Sequence, residues 1–450
     1  MSNKKDSLFG LGLEEQKRLF GQLRPAMLVK EQSGKEQRLD TAAVPDHLAL
    51  FTELPVYKQL QVHRLIAQKM EIMDPFFTSH ERIAKRVAII NGEEYLNFAT
   101  YDYLGLNGHP EVTAAAYESM QRFGTSAGAS RVVAGERPDH KLLEQALAEN
   151  YETEAALTFV SGHATNVSTI STLLGPHDAV YHDALAHNSI IMGALLSGAA
   201  RYSYPHNDCD ALDRLLQQSR RKHQRALIVT EGLFSMDGSI ANLPALVEIK
   251  KRHTCFLMVD EAHSLGVLGG TGRGSAEHCG IPFAGVDIWM GTLSKTLCGC
   301  GGFIAASEAF IDLLKFKAPG FVYSVGMSPP LAAASRTALS IMRREPERVA
   351  RLQRLSALFL QQAKERGLNT GHAEGFGVIP VIVGNSIVAG SLASAMFKRH
   401  INVMPIIYPV VEEGLARLRF FLSCDHEEGD IARALSVLCK QLPKAVKKSS

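Results

Sequence analysis

Between Ala155 and Val259, short apolar runs alternate with stretches of helical spacing. The runs predict strands at Ala155–Phe159, Ala179–Tyr181, Ala200–Tyr204, Ala226–Thr230 and Cys255–Val259. Between them, apolar residues recur every three or four positions, which predicts helices at His163–Leu174, Asn188–Leu196, Asp210–Gln218 and Leu243–His253. Strands joined through helices lie parallel, and their near-continuous apolar character means that both faces of the sheet are covered. The pattern predicts an α/β fold with one large, mostly parallel sheet and helices on both faces. In such folds, ligands bind beyond the carboxyl ends of the strands.

The flanking regions read differently. Leu8–Leu23 has helical apolar spacing, Lys30–Asp40 is charged and reads as a linker, and Pro55–Ile72 is again helical in period. Val87–Phe98 alternates around Asn91-Gly92, a hairpin signal. Pro110–Phe123 and Asp139–Glu152 predict helices, with a small, polar loop at Gly124–Gly135 between them. A long charged helix at Glu345–Arg366 opens a smaller C-terminal α+β region. It has strands at Val378–Val383 and Ala416–Leu422, helices at Ile387–Arg399 and Asp430–Gln441, and a basic tail from Pro443 read as unstructured. The division expected is an N-terminal extension at 1–55, a segment packing on the body at 56–100, a large domain at 101–344 and a small domain at 345–450.

Composition narrows the function classes. A net charge of +2 gives no electrostatic argument for nucleic acid or for an anionic membrane surface. The seven cysteines include no CxxC pair, which implies free thiols, a reducing compartment and no metal site. No apolar run reaches the length of a membrane span and no secretory leader is evident, so a cytoplasmic protein is expected.

The candidate chemistry collects at the predicted strand ends. The apolar run Val286–Met290 leads into Gly291–Gly302, which holds Lys295 among small residues and the hydroxyls of Thr292, Ser294 and Thr296. A lysine in that setting can form a Schiff base; the plainer reading is a surface lysine on a glycine-rich turn. Asp260, Glu261 and His263 follow another strand, where a carboxylate must find a partner or bear a desolvation cost. A protonated pyridine nitrogen is one such partner, and a structural salt bridge is the alternative. Glu231 and Ser235 follow a third strand, and Ser161-Gly162-His163 opens a helix whose free N–H groups suit a phosphate. His182 and His187 precede another helix, and an imidazole there can stack on an aromatic ring. Arg417 and Arg419 share one strand face, where one could clamp a carboxylate.

Seven ordered motifs then carry a resemblance: Tyr-Asp-Tyr-Leu-Gly-Leu (101–106), Gly-Ala-Ser-Arg-Val-Val-Ala-Gly (128–135), Glu-Gly-Leu-Phe-Ser-Met-Asp-Gly (231–238), Val-Asp-Glu-Ala-His-Ser (259–264), Gly-Arg-Gly (272–274), Thr-Leu-Ser-Lys (292–295) and Ala-Arg-Leu-Arg (416–419). Together they resemble the α-oxoamine synthases, pyridoxal-phosphate enzymes of fold type I. The resemblance implies that Lys295 is the Schiff-base lysine and base, that Asp260 pairs with the pyridine nitrogen, and that His187 stacks on the ring. It implies that His263 and Ser235 lie near the phenolic oxygen, and that Gly162, His163, Thr292 and Ser294 hold the phosphate. Arg419, with Arg417 as fallback, would bind the substrate carboxylate; Ser130 and Asp102 complete the expected substrate contacts. The implied reaction is a decarboxylative condensation of an amino acid with an acyl thioester, carried by CoA or an acyl-carrier protein, in a homodimer with sites at the interface.

The chain departs from the family pattern in places. Tyr101 stands where asparagine is frequent, and Val325 and Gly326 replace hydroxyl residues, leaving Ser324 or Ser328 for the neighbouring subunit's phosphate contact. Ser130 stands where glycine-specific relatives carry threonine, which favours alanine or serine as substrate. The N-terminal extension is similar to that of synthases attached to polyketide assembly lines, which keeps a carrier-protein donor in view. An aminotransferase or lyase, or a non-catalytic partner subunit, are the competing readings; the 231–238 motif argues against the first and the presence of Lys295 against the second.

Overall fold

The structure, a computed structural model, describes residues 45–73 and 75–449. The expected helix at Leu8–Leu23 and the linker at Lys30–Asp40 lie outside the described residues. The chain forms two compact units. One comprises His80–Pro380 with Arg419–Arg433; the other comprises Val381–Leu418, the chain from Ala434 onward and the described residues up to Ser79.

The elements before the main sheet are α1 (Pro55–Lys69), the hairpin β1 (Val87–Ile90) and β2 (Glu93–Asn97), α2 (Pro110–Phe123) and α3 (Pro138–Tyr151). The sheet region runs β3 (Ala155–Phe159), α4 (Gly162–Leu173), β4 (Ala179–Asp183), α5 (Asn188–Ser197), β5 (Ala200–Tyr204), α6 (Cys209–Ser219), β6 (Ala226–Glu231), α7 (Leu243–His253), β7 (Phe256–Asp260), α8 (Ser275–Cys279), β8 (Ile288–Thr292) and β9 (Gly302–Ala306). Then come α9 (Glu308–Lys317), α10 (Pro319–Val322), α11 (Pro329–Arg344) and α12 (Pro346–Glu365). The last elements are β10 (Val378–Gly384), α13 (Ser386–Phe397), β11 (Ile401–Asn402), β12 (Met404–Ile406), β13 (Ala416–Phe421) and α14 (Glu428–Ser449).

The large sheet has seven strands in the order β3-β9-β8-β7-β6-β4-β5. All are parallel except β9, which runs antiparallel to both β3 and β8. The expected mostly parallel sheet is therefore present, and β9 is the strand the sequence pattern did not reveal. Every residue of β6 is buried, as two covered faces require. On one face, Ile170 of α4, Ile190 and Ala194 of α5, and Ile311 and Leu314 of α9 close over Leu157, Val180, Val229 and Met258. Gly302 opens β9 where α4 begins: a Cβ there would lie 2.4 Å from Thr165 Oγ1 and 2.8 Å from the Gly162 Cα. Only glycine lets that helix end approach the sheet.

Two expectations need correction. The strand read at Val286–Met290 lies two residues later, so Thr292 closes β8 instead of starting the loop. The tail from Pro443 is helical: α14 continues through Pro443 to Ser449. Its apolar face, Ile431, Ala434, Leu435, Leu438 and Ala445, stays buried past the proline, and that burial outweighs the one hydrogen bond proline forgoes. No helix among the described residues is long and apolar enough to cross a membrane.

Candidate active site

Since β3, β8, β7, β6 and β4 share one direction, their carboxyl ends form one edge. Ser161 follows β3, Thr292 ends β8, Asp260 ends β7 and Glu231 ends β6. A cavity of about 250 Å³ opens there. Of the predicted residues, it is lined by Gly162, His163, His187, Asp260, His263, Thr292, Ser294 and Lys295, so the structure gathers positions spread over 134 residues of sequence. A second cavity, of about 290 Å³, shares Ser294 and Lys295 and is lined on its other side by Tyr101, Asp102 and Cys298.

Each group is held by the fold. Asp260 is buried; its Oδ2 accepts from Asn166 Nδ2 at 2.8 Å and its Oδ1 from the Ala262 N–H at 2.9 Å. Asn166 also donates to Ser189 Oγ, 2.7 Å from which stands His187 Nδ1. Burial lowers the pKa of the His187 imidazole, with the Asp260 charge opposing. His263 Nδ1 lies 2.7 Å from the Tyr103 hydroxyl, and complete burial holds that imidazole well below its ordinary value, aided by the charges of Lys295 and Arg419. The same burial holds the Tyr103 phenol well above its own. For Lys295, burial lowers the pKa to about 8, although Asp260 and Glu231 pull it back up. Its Nζ stands 5.7 Å over the Tyr101 ring.

The end of α4 has the character of an anion cradle. Ser161 caps the helix through the Ala164 N–H, leaving the first N–H groups aimed outward. A Cβ at Gly162 would stand 3.1 Å from Thr292 Oγ1, so the bare glycine keeps the approach open. Thr292 Oγ1 donates to the Gly301 carbonyl at 3.0 Å, and Ser294 Oγ accepts from the Gly301 N–H at 3.3 Å, fixing two hydroxyls beside that helix end. Two buried polar atoms, Asn166 Oδ1 and Glu231 Oε1, make no hydrogen bond here. A helix end with two hydroxyls, a buried carboxylate and a low-pKa lysine is the donor set that a phosphorylated pyridine aldehyde requires.

The remaining predicted residues divide. Arg419 Nη1 donates to the Ser235 carbonyl at 2.9 Å, and its guanidinium lies 4.6 Å over the Phe421 ring; Ser235 itself gives its N–H to Glu231 Oε2. Asp102 spends its carboxylate on the Leu106 and Asn107 N–H groups, capping a turn at the second cavity. Ser130 lines neither cavity; its carbonyl gathers the N–H groups of Val133, Ala134 and Gly135. Arg417, in the other unit, donates Nε to its neighbour's carbonyl at Leu415. Sequence reasoning passed over Asn166 and Tyr103 as site groups. An asparagine one turn inside an apolar helix, at the third position after His163, is the signal that could have found the first.

Residues 93–438 match the model of the aminotransferase class I and II family. The chain belongs to that family. Within it, the chain is 42% identical over 355 residues to the 8-amino-7-oxononanoate synthase of Geobacter sulfurreducens, covering 78% of this chain and 90% of that one. It is 37% identical to 8-amino-7-oxononanoate synthase 1 of Bacillus subtilis, with 78% and 89% covered. Among solved structures, a Sphingomonas wittichii serine palmitoyltransferase superposes with a TM-score of 0.83 at 29% identity, covering 87% of this chain and 98% of that one. A structure described as that enzyme type with PLP superposes equally well, at 27% identity. These findings make the protein an α-oxoamine synthase, a pyridoxal-phosphate-dependent acyltransferase of fold type I.

Proposed function

We propose that this α-oxoamine synthase condenses a small amino acid, alanine or serine in preference to glycine, with an acyl thioester, releasing carbon dioxide and leaving an α-amino ketone. The observation that carries the reading is Lys295. It stands between the polar cavity and the second cavity, with a pKa lowered to about 8 by burial, so it gives up its proton more readily than an exposed lysine does. The names of the relatives point the same way, since one acts on serine with a palmitoyl group.

Bound pyridoxal phosphate supplies an electron sink for the charge left when the amino acid's α-proton departs. Lys295 takes that proton, because it lies at the junction where the amino acid and the acyl group would meet. Asp260, fixed by Asn166 and Ala262, would provide the anion for a ring nitrogen. His187, fixed by Ser189, would stack on the ring. Gly162, His163, Thr292 and Ser294 would hold the phosphate. If the Tyr103 hydroxyl donates to His263 Nδ1, the neutral imidazole carries its own proton on Nε2. That N–H is then a donor for the thioester oxygen as negative charge develops there. Arg419 would orient the substrate carboxylate, and Ser235 would lie with His263 near the phenolic oxygen of the ring. Ser130, which lines neither of the two cavities of its own chain, would serve a partner's site in a homodimer. Exposed Met192, Leu195 and Leu196 on α5 support such an apolar contact.

The test is release of carbon dioxide and free thiol when alanine, serine or glycine is offered with an acyl-CoA or an acyl-carrier protein. Turnover with alanine or serine, lost in Lys295→Ala, upholds the reading; turnover only with glycine overturns the substrate preference. Light scattering reads the dimer directly. Deletion of residues 1–55 from a still-folded protein separates the donors, since only carrier-protein turnover should fall.

A further inference from the structure

One buried acid at the site is left without a role by this chemistry. Glu231 ends β6 and Asp260 ends β7, and they are register partners on adjacent parallel strands. Partner side chains leave the same face of the sheet about 5 Å apart. Both are buried, with 3% and 4% of their surface exposed, and both line the cavity beside Lys295. Their hydrogen bonding is unequal. Asp260 has an amide donor on each oxygen. Glu231 Oε2 has one, the Ser235 N–H at 3.2 Å, while Oε1 makes no hydrogen bond among the described residues. The His187 N–H also favours the Glu231 charge, but more weakly than the Ser235 N–H does.

We propose that Glu231 and Asp260 carry a single negative charge between them at neutral pH, with the proton on Glu231, and that neutral Glu231 is a positioning residue that keeps Asp260 the sole carboxylate anion of the pair. Two carboxylates at that separation, away from water, cannot both ionise cheaply, and the one with more donors keeps the charge. The other groups facing Glu231 agree. Burial and then the Asp260 charge push its acid up to about 8, against the Ser235 N–H, Lys295 and the His187 N–H. Glu261, the next residue after Asp260, is turned away to Ser275. The consequence falls on Lys295. Both carboxylates would hold its proton on if charged, and with Glu231 neutral only one does.

The inference rests on the proposed roles of Asp260 and Lys295, so its test uses cofactor-free full-length protein and a readout other than turnover. Infrared difference spectra between about pH 6 and about pH 10 report the carbonyl stretch of a protonated carboxylic acid. The expected result is such a band at neutral pH that titrates away near 8, is absent in Glu231→Gln and is shifted but retained in Glu231→Asp. Glu261 is also buried and pushed up to about 8, so Glu261→Gln is the control and should leave the Glu231 band in place. A wild-type protein with no such band overturns the proposal. So does a spectrum from which Glu231→Gln removes no band, every acid band being lost instead in Asp260→Asn or Glu261→Gln. An intact band in a chain that fails the thioester assay upholds the shared proton and defeats the catalytic reading instead.

Discussion

The two edges of the large sheet treat charge in opposite ways. At the carboxyl edge, Asp260, Glu231, His263 and Lys295 are enclosed, and burial displaces the pKa values of Glu231, His263 and Lys295 from the ordinary. At the opposite edge, where β6 and β7 begin, cations outnumber those at the site, yet they are paired or solvated. Lys250 meets Asp287 at 2.7 Å, Arg252 meets Asp213 at 2.6 Å, and Lys251 meets Glu248 at 3.0 Å. Arg220 spends its guanidinium on the backbone carbonyls of His223, Gln224, His253 and Thr254. Chemistry follows the edge with fewer, drier charges, because removal from water is what moves a proton affinity toward neutrality.

Substitutions should separate the two edges sharply. Lys295→Ala should lower kcat by at least about 10³-fold while circular dichroism stays unchanged, the scale of losing a positioned base. Asp260→Asn should cost roughly 10²–10³ in kcat, since it removes a preorganised charge and leaves the shape. Arg419→Lys keeps the charge and loses the fork, so it should raise the amino-acid KM about tenfold with kcat nearly kept; an unchanged KM would move the carboxylate site elsewhere.

The lysine also makes a pH prediction. Its folded pKa of about 8 lies below the ordinary 10.5, so burying it costs stability below pH 8, and the cost fades as pH rises toward 10.5. Thermal melts of cofactor-free Lys295→Met should therefore show a gain of roughly 1–3 kcal/mol below pH 8, shrinking above it. Smallest of all, Arg252→Ala at the far edge should change stability by less than about 1 kcal/mol and leave kcat alone. A large loss there would erase the contrast between the edges.

Much of this organisation was legible in the chain. The strands β3, β4, β6 and β7 are largely apolar and β5 alternates, and every one of them was placed to within two residues. Lys295, Asp260, His187 and Gly162 were legible because each follows such a run. β9 was not, because Gly302 and its glycine neighbours read as a continuation of the loop, and its strand character comes from pairing with β3 and β8. The end of α14 was misread because Pro443 speaks locally and the buried stripe around it does not. Asn166 and Tyr103 were missed because their partners, Asp260 and His263, lie 94 and 160 residues away. No local pattern encodes a meeting of that kind.

The late strand β9 also sets an order of assembly. Among the described residues, the sheet neighbour of β3 is β9, and Ala155 pairs with Ala306. Strands β4 to β7 can join one another as the chain is synthesised, whereas β3 must wait for some 150 further residues and bear the entropy of closing that loop. Ser161 and Gly162 follow β3, and Lys295 precedes β9 by seven residues. A nascent chain stopped before Gly302 therefore holds the carboxylates and the lysine with no strand to draw the helix end beside them. The helix end at Gly162 thus joins the pocket after its carboxylates and its lysine, and a truncated product should be unable to withdraw cofactor from the pool.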